Sequence, residues 1–363
     1  MKWIFSLAVA ALMLAAGAAR GQDVSRELRD IMSYAEETSR KIYRDDFKPP
    51  AADIDKRMAR LTQLIRGKEV NDAGRLVAYF LRAEVRNLRN AIRFKAKQPY
   101  DVQIAKATLD DYDKVIAGGR DVGGWFTLAN VNYLAGLVAR NDLKSSPLGY
   151  AYWQKCSDLG HPGCMNTIAV ALLTGTGNIK VDPRAARDLN EKVYETGTQA
   201  RCAGAYSGRN VGLINHFLGV KKPGDDPLAW FERAYKLLDQ LEPELKTKNP
   251  CGRGKDFEAK EYLLRLQNND RKASLLQQAI ARTDDGINKT TLRYLADEIS
   301  ETVFREALAK GNDYERCTAG FLAYWLARIR KEAQAASYYL DVMNAIGPDF
   351  CGTDLVYAKA LAR

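Results

Sequence analysis

Three helix starts in this chain share one pattern: Ser146-Pro147-Leu148-Gly149, Asp182-Pro183-Arg184-Ala185 and Asp226-Pro227-Leu228-Ala229. Each offers a Ser or Asp oxygen to an otherwise orphaned backbone N–H at the N-cap. Each then places Pro in the first turn, where its missing N–H costs nothing. A small residue follows and lets a neighbouring helix approach. The first two starts lie 36 residues apart and the next two 44. Units of that length cannot bury an apolar face alone, so they stack on their neighbours, and the expected architecture is an α-solenoid.

The surrounding sequence is helical throughout. Between Ala73 and Lys95, Val77, Leu81, Val85, Leu88 and Ile92 recur at steps of three and four, which marks one apolar face. Alternating strand patterns do not occur. Short Gly/Pro/Asp connections separate the helical segments, which favours antiparallel neighbours. Two linkers, Gly175-Thr176-Gly177 through Asp182 and Gly219 through Asp226, precede helix starts. Gly175-Thr176-Gly177 follows no strand and lacks the Lys-Ser/Thr of a phosphate loop, so it reads as a helix C-cap.

The stretch Trp153 to Cys164, with Gly160-His161-Pro162-Gly163 at its turn, then Ala169 to Gly177 and Lys180-Val181-Asp182-Pro183-Arg184-Ala185-Ala186, resembles the Sel-one-like repeat family of the tetratricopeptide superfamily. The resemblance covers about residues 124–240. Upstream, Ala78 to Glu84 and Ala107 to Ile116 are similar to tetratricopeptide helices, whereas the C-terminal third fits no consensus cleanly. The resemblance implies a right-handed, all-α solenoid of antiparallel helix pairs. The implied organisation is a signal peptide at 1–21, a tetratricopeptide-like region at 22–120, Sel-one-like repeats at 121–240 and divergent helical repeats at 241–363.

The N-terminus reads as an export signal. Met1-Lys2 is basic, Trp3 to Ala16 is apolar, and small residues follow; cleavage after Ala18, Ala19 or Gly21 fits equally. The run is shorter than the roughly 20 residues that span a bilayer. No cysteine follows it to carry a lipid anchor, and no later segment is apolar enough to cross a membrane. The expected location is periplasmic or secreted.

Six cysteines stand behind that signal: Cys156, Cys164, Cys202, Cys251, Cys317 and Cys351. An even number in an exported chain argues for disulfides, with fifteen connectivities open for six cysteines. Cys156 ends one helix and Cys164 begins the next, and the spacing resembles the cysteine-rich secreted branch of the Sel-one-like family, where such pairs lock each repeat. For the other four, Cys202-Ala203-Gly204-Ala205-Tyr206 echoes Cys317-Thr318-Ala319-Gly320-Phe321, and Cys251-Gly252 echoes Cys351-Gly352. The echo favours Cys202–Cys251 and Cys317–Cys351. No Cys-x-x-Cys pair suggests redox chemistry.

The formal charge of +10 falls to +8 without residues 1–21. That excess favours an anionic partner, such as an acidic polysaccharide, and export argues against nucleic acid. Arg75, Arg82, Arg86, Arg89 and Arg93 fall on one helix at steps of seven, four, three and four. They form either a solvated flank whose stems cover the core or an anion-binding face. Ten aromatics, among them Tyr133, Tyr152, Trp153, Trp230, Trp325 and Tyr339, read mostly as core.

Catalytic signals are sparse. His161 sits at the family's turn position and His216 on a core face or helix end, so both read as structural. With the cysteines committed, no metal or cofactor is expected. Neither Ser-x-x-Lys nor Gly-x-Ser-x-Gly occurs in the mature chain. Asp110, Asp111 and Asp113, and Glu298 with Glu301, read as solvated helix faces. Some cysteine-rich relatives are associated with weak penicillin binding or β-lactamase activity, which the resemblance places on no residue here. The expected function is therefore an exported scaffold that binds a protein or acidic polysaccharide, with a cell-wall or β-lactam enzyme as the alternative.

Overall fold

The computed structural model describes residues 19–42, 51–119, 121, 127–245 and 250–363. The expected signal segment lies outside these residues up to position 18. Among the described residues there are helices and turns but no strand, and no helix is long and apolar enough to cross a membrane. The chain divides into two compact units, Met1–Cys164 and Met165–Arg363. Their boundary falls inside the 121–240 stretch.

The first unit holds α1 (Ala19–Lys41), α2 (Ala51–Arg66), α3 (Asp72–Lys95), α4 (Val102–Ala117), α5 (Leu128–Leu137) and α6 (Ser146–Asp158). Helix α3 starts because the Asn71 side chain accepts from the Gly74 N–H, and α4 because Asp101 accepts from Gln103 and Ile104. Successive helices pack on each other, α2 on α3, α3 on α4, α4 on α5 and α5 on α6. The apolar face of α3 supplies Val77, Leu81, Val85 and Leu88 to a core shared with Leu61, Leu109, Tyr112 and Val131. Close packing of α5 on α6 needs Gly136, since a Cβ there would stand 2.3 Å from the Trp153 Nε1. Trp153 in turn donates to the Tyr133 carbonyl.

One helix start differs from its reading. Helix α6 begins with Ser146 already inside it, and Ser145 takes the cap position without a side-chain bond. Pro147 in the first turn pre-sets the backbone, so the hydroxyl is not needed. Asp182, by contrast, accepts from Arg184 and Ala185, and Asp226 accepts from Leu228. Gly175 and Gly219 both end helices at positive φ, as C-caps do.

Helix α7 (Pro162–Thr174) runs across the unit boundary. The second unit continues with α8 (Pro183–Glu195), α9 (Cys202–Leu218), α10 (Pro227–Leu245), α11 (Ala259–Gln267), α12 (Ser274–Arg282), α13 (Ile287–Leu295), α14 (Glu301–Lys310), α15 (Asp313–Arg330), α16 (Ala333–Ile346) and α17 (Pro348–Ala362). Again sequence neighbours pack together, α8 with α9, α9 with α10 and α15 with α16. Helix α17 also packs on α15 and α9. The core is aromatic around Phe217, which meets Trp325 at 4.7 Å and Tyr357 at 5.1 Å. A polar clamp lies beside it: Arg187, 2% exposed, reaches Asp225 and Glu191. Through Asp225 it ties the 219–226 linker back onto α8.

The cysteines stand in three pairs. Cys156 pairs with Cys164, Cys202 with Cys251 and Cys317 with Cys351, with Cα separations of 5.8, 5.4 and 5.1 Å. The last two are the pairs the internal echo favours, and the first is the pair the resemblance implies.

Candidate functional site

The arginine stripe divides when placed in the first unit. Arg82 and Arg86, with side chains 16% and 13% exposed, converge on Asp111, which is 3% exposed. Arg82 makes a two-pronged contact at 2.9 and 2.6 Å, and Arg86 reaches the second oxygen at 2.6 Å. Asp111 is therefore a buried counter-ion and not part of a solvated face, and Arg82 and Arg86 hold α3 to α4. Their spacing matched the turn of α3 because a carboxylate on the neighbouring helix needs both. The other three stand further out: Arg89 pairs with Asp55, Arg75 with Asp72 at 3.7 Å, and Arg93 donates to the Pro99 carbonyl. The remaining acidic residues keep to the surface: Glu298 pairs with Arg293 and Glu301 with Arg305, while Asp113 accepts from Tyr152.

Both histidines are built into packing. His161 accepts the Cys164 N–H on Nδ1 and stacks on Tyr133 at 5.2 Å. His216 contacts Gln267 at 3.1 Å and stacks on Trp325. Burial lowers the pKa of each below the ordinary value, so both stay neutral at pH 7. Of the aromatics read as core, Tyr150, Tyr152, Trp153, Trp230, Tyr324, Trp325 and Tyr339 are buried, whereas Tyr133, Tyr206 and Tyr338 are half-buried.

The second unit contains a polar pocket that the sequence reading did not single out. A cavity of about 210 Å³ lies among α10, a single π-helical turn at Gly254–Glu258, α11 and α12. It is lined by Glu232, Tyr235, Arg253, Glu258, Glu261, Arg265, Lys272, Leu275 and Gln278. Residues three or four apart on a helix share a face, which brings Glu232 and Tyr235 together on α10. The same rule sets Glu258, Glu261 and Arg265 in a row along α11 and the turn before it. Helix α12 closes the far side at short range, because Gly254 has no side chain: a Cβ there would lie 2.5 Å from the Thr283 hydroxyl.

The pocket floor is unusual chemically. Glu258 and Glu261 are 1% and 3% exposed. Each gives one oxygen to a guanidinium, Glu258 to the Arg253 Nε at 2.9 Å and Glu261 to the Arg265 Nε at 2.6 Å. The buried Tyr235 hydroxyl pairs with the Glu261 carboxylate, and the second oxygen of Glu258 has no hydrogen-bond partner within the protein. Buried polar groups without partners are rare and costly. Burial pushes the Glu258 carboxyl above its usual range, against the pull of backbone hydrogen bonding and Arg253. Burial, reinforced by the charges of Glu258 and Glu261, pushes the Tyr235 phenol well above its ordinary value.

No protein family and no curated protein matches this chain. The pocket must therefore be read from its own chemistry. Its lining holds acids, bases, one tyrosine and an amide, but no serine, cysteine or histidine. The signal that could have found it was the Glu258-x-x-Glu261-x-x-x-Arg265 spacing, which carries no message until the burial of both carboxylates is known.

Proposed function

We propose that this chain is an exported binding scaffold of the bacterial cell envelope. In this reading it is a right-handed, Sel-one-like solenoid of antiparallel helix pairs, stapled by disulfides and holding a protein partner or an acidic polysaccharide. The observation that supports binding over bond-breaking is the pocket of the second unit. It gathers a few convergent charged and polar side chains around a concave space, as recognition sites do. Each carboxylate is already fixed by an arginine, which suits orientation more than proton shuttling. The outer arginines Arg75, Arg89 and Arg93 could meet an acidic partner in exchange for their weak surface contacts, since exposed ion pairs contribute only about 0–1 kcal/mol.

The test is affinity capture from envelope extract with the disulfide-intact mature protein, read by mass spectrometry, beside a nitrocefin assay. A reproducible partner without nitrocefin turnover is the expected result. Turnover that survives purification and disappears with one point substitution would overturn the scaffold reading in favour of an enzyme.

A further inference from the structure

We propose that a cavity where the C-terminal ends of α11, α15 and α17 meet binds a carboxylate carrying a short aliphatic chain, with the Arg328 guanidinium and the Gln267 side-chain amide as its donors. The inference stands apart from the scaffold reading, because it concerns a different pocket and needs no macromolecular partner.

The cavity measures about 330 Å³, within the range of small-molecule sites, about 300–1,000 Å³. Gln267, Trp325 and Arg328 line it beside an aliphatic wall of Leu266, Ile329 and Leu361. Gln267 is held in one orientation. The indole of Trp325, a buried residue, can only donate, so the Gln267 atom it meets at 2.9 Å is the carbonyl oxygen. The His216 Nε2 contacts the same oxygen at 3.1 Å and therefore donates as well. Both contacts fall on that oxygen, so the amide N–H groups of Gln267 keep no partner among the described residues. A donor fixed in advance costs little further ordering when a ligand arrives.

Charge selects the ligand's sign. Arg328 is the one charged residue of the lining, whose remaining member, Asn269, is a neutral amide. Its guanidinium has no hydrogen-bond or ion-pair partner among the described residues. Glu332 follows at the spacing of a helical ion pair, but the chain leaves the helix at Lys331, whose φ is 60°, and that pair does not form. On flanking segments, Asp270 is engaged by Arg265, and Asp297 by Arg271 and Arg330. The helix ends offer no bare acceptors in their place: the Arg265 and Leu266 carbonyls accept from residues 268–270, and those of Ala327 and Arg328 from Lys331 and Glu332. An exposed guanidinium is also satisfied by water. What singles out a ligand here is its place beside a fixed amide donor and an aliphatic wall. A carboxylate takes two parallel N–H bonds from a guanidinium, and its alkyl chain gains by leaving water at the wall.

Calorimetry on the disulfide-intact protein tests the inference with sodium hexanoate as probe. Hexanol, hexylammonium chloride and sodium galacturonate serve as controls. We expect saturable hexanoate binding, none of hexanol or hexylammonium, and weaker binding of galacturonate, which has the carboxylate without the aliphatic chain. Arg328→Gln should weaken hexanoate binding by about tenfold or more. Arg328 is exposed, so the variant should stay folded, which circular dichroism melts check. Should it unfold, Arg328→Lys carries the test, because it keeps the charge and loses the two-pronged contact, with a smaller loss of affinity. N-acetyl-leucine distinguishes the sources: tighter binding than hexanoate assigns the site to the C-terminus of a peptide, and weaker binding assigns it to a free aliphatic acid. A groove that holds only water gives no saturable signal, and that result overturns the inference. Equal binding of hexanol, preference for galacturonate, or a folded Arg328 variant with undiminished affinity overturns it as well. Partner capture tests the scaffold reading separately, and either result can fail without the other.

Discussion

The two units keep their charges in different places. In the first unit, the buried ion pairs are confined to Arg82 and Arg86 on one carboxylate, Asp111, beside an apolar cluster. Its disulfide spans a sequence separation of only 8. In the second unit, buried charge is distributed over several networks. Arg187 joins Glu191 and Asp225, Arg209 meets Asp256, Arg253 meets Glu258, and Lys260 meets Asp354. Its two disulfides span separations of 49 and 34. Buried ion pairs offset much of their Coulomb attraction by desolvation, so a unit rich in them gains less net stability from each. Long covalent loops supply cohesion of another kind, by constraining the unfolded chain.

The sharpest way to break this comparison is to remove the staples. Loop-closure entropy assigns about 4 kcal/mol to each of Cys202–Cys251 and Cys317–Cys351 and about 2.5 kcal/mol to Cys156–Cys164. Replacing both second-unit pairs with alanine should therefore cost about 8 kcal/mol and unfold that unit at ambient temperature. The first-unit replacement should leave a folded protein. Hydrogen exchange followed by mass spectrometry resolves the two units by their peptides. Equal protection loss in both would refute the contrast.

A smaller effect belongs to the first unit. Asp111→Asn keeps the shape but leaves Arg82 and Arg86 without their counter-charge, which should cost about 3 kcal/mol. The loss should appear in α3 and α4 peptides. A solvated Asp111, as first read from the sequence, would predict almost no change, so the measurement discriminates cleanly.

Acid should produce the smallest difference. Burial lowers His161 and His216, and a histidine depressed in the folded state stabilises above its unfolded pKa of about 6.5 and loses that contribution as pH falls. In the first unit, Glu84 and Asp142 are raised by burial. Raised carboxyls act in the opposite sense, costing stability at neutral pH and relieving that cost as they protonate. Among the described carboxyls of the second unit, only Glu258 is clearly raised. Glu191 and Asp225, held down by Lys222 and Arg187 against the opposing effect of burial, lose stabilisation as pH falls through their depressed values. Lowering the pH from neutral to about 3.5 should thus open the second unit before the first. Melting monitored separately for each unit, for example by limited proteolysis, checks the order.

The sequence by itself determined the helices, several of their caps and the pairing of the cysteines. Those features are local, or repeat at fixed spacing: Asp182 caps its own first turn, and Cys202 and Cys317 sit in matching contexts. Tertiary structure alone decided what each charge does. Arg82 and Arg86 share a helix with Arg75, Arg89 and Arg93, yet only the first two reach Asp111, because α4 packs against that part of α3. Glu258 and Glu261 look like any acidic helix face in the sequence. Their burial arises from the approach of α10 and α12, set by packing between separate segments of the chain. A carboxylate's role depends on its solvent and its neighbours in space, and neither is written at its own position.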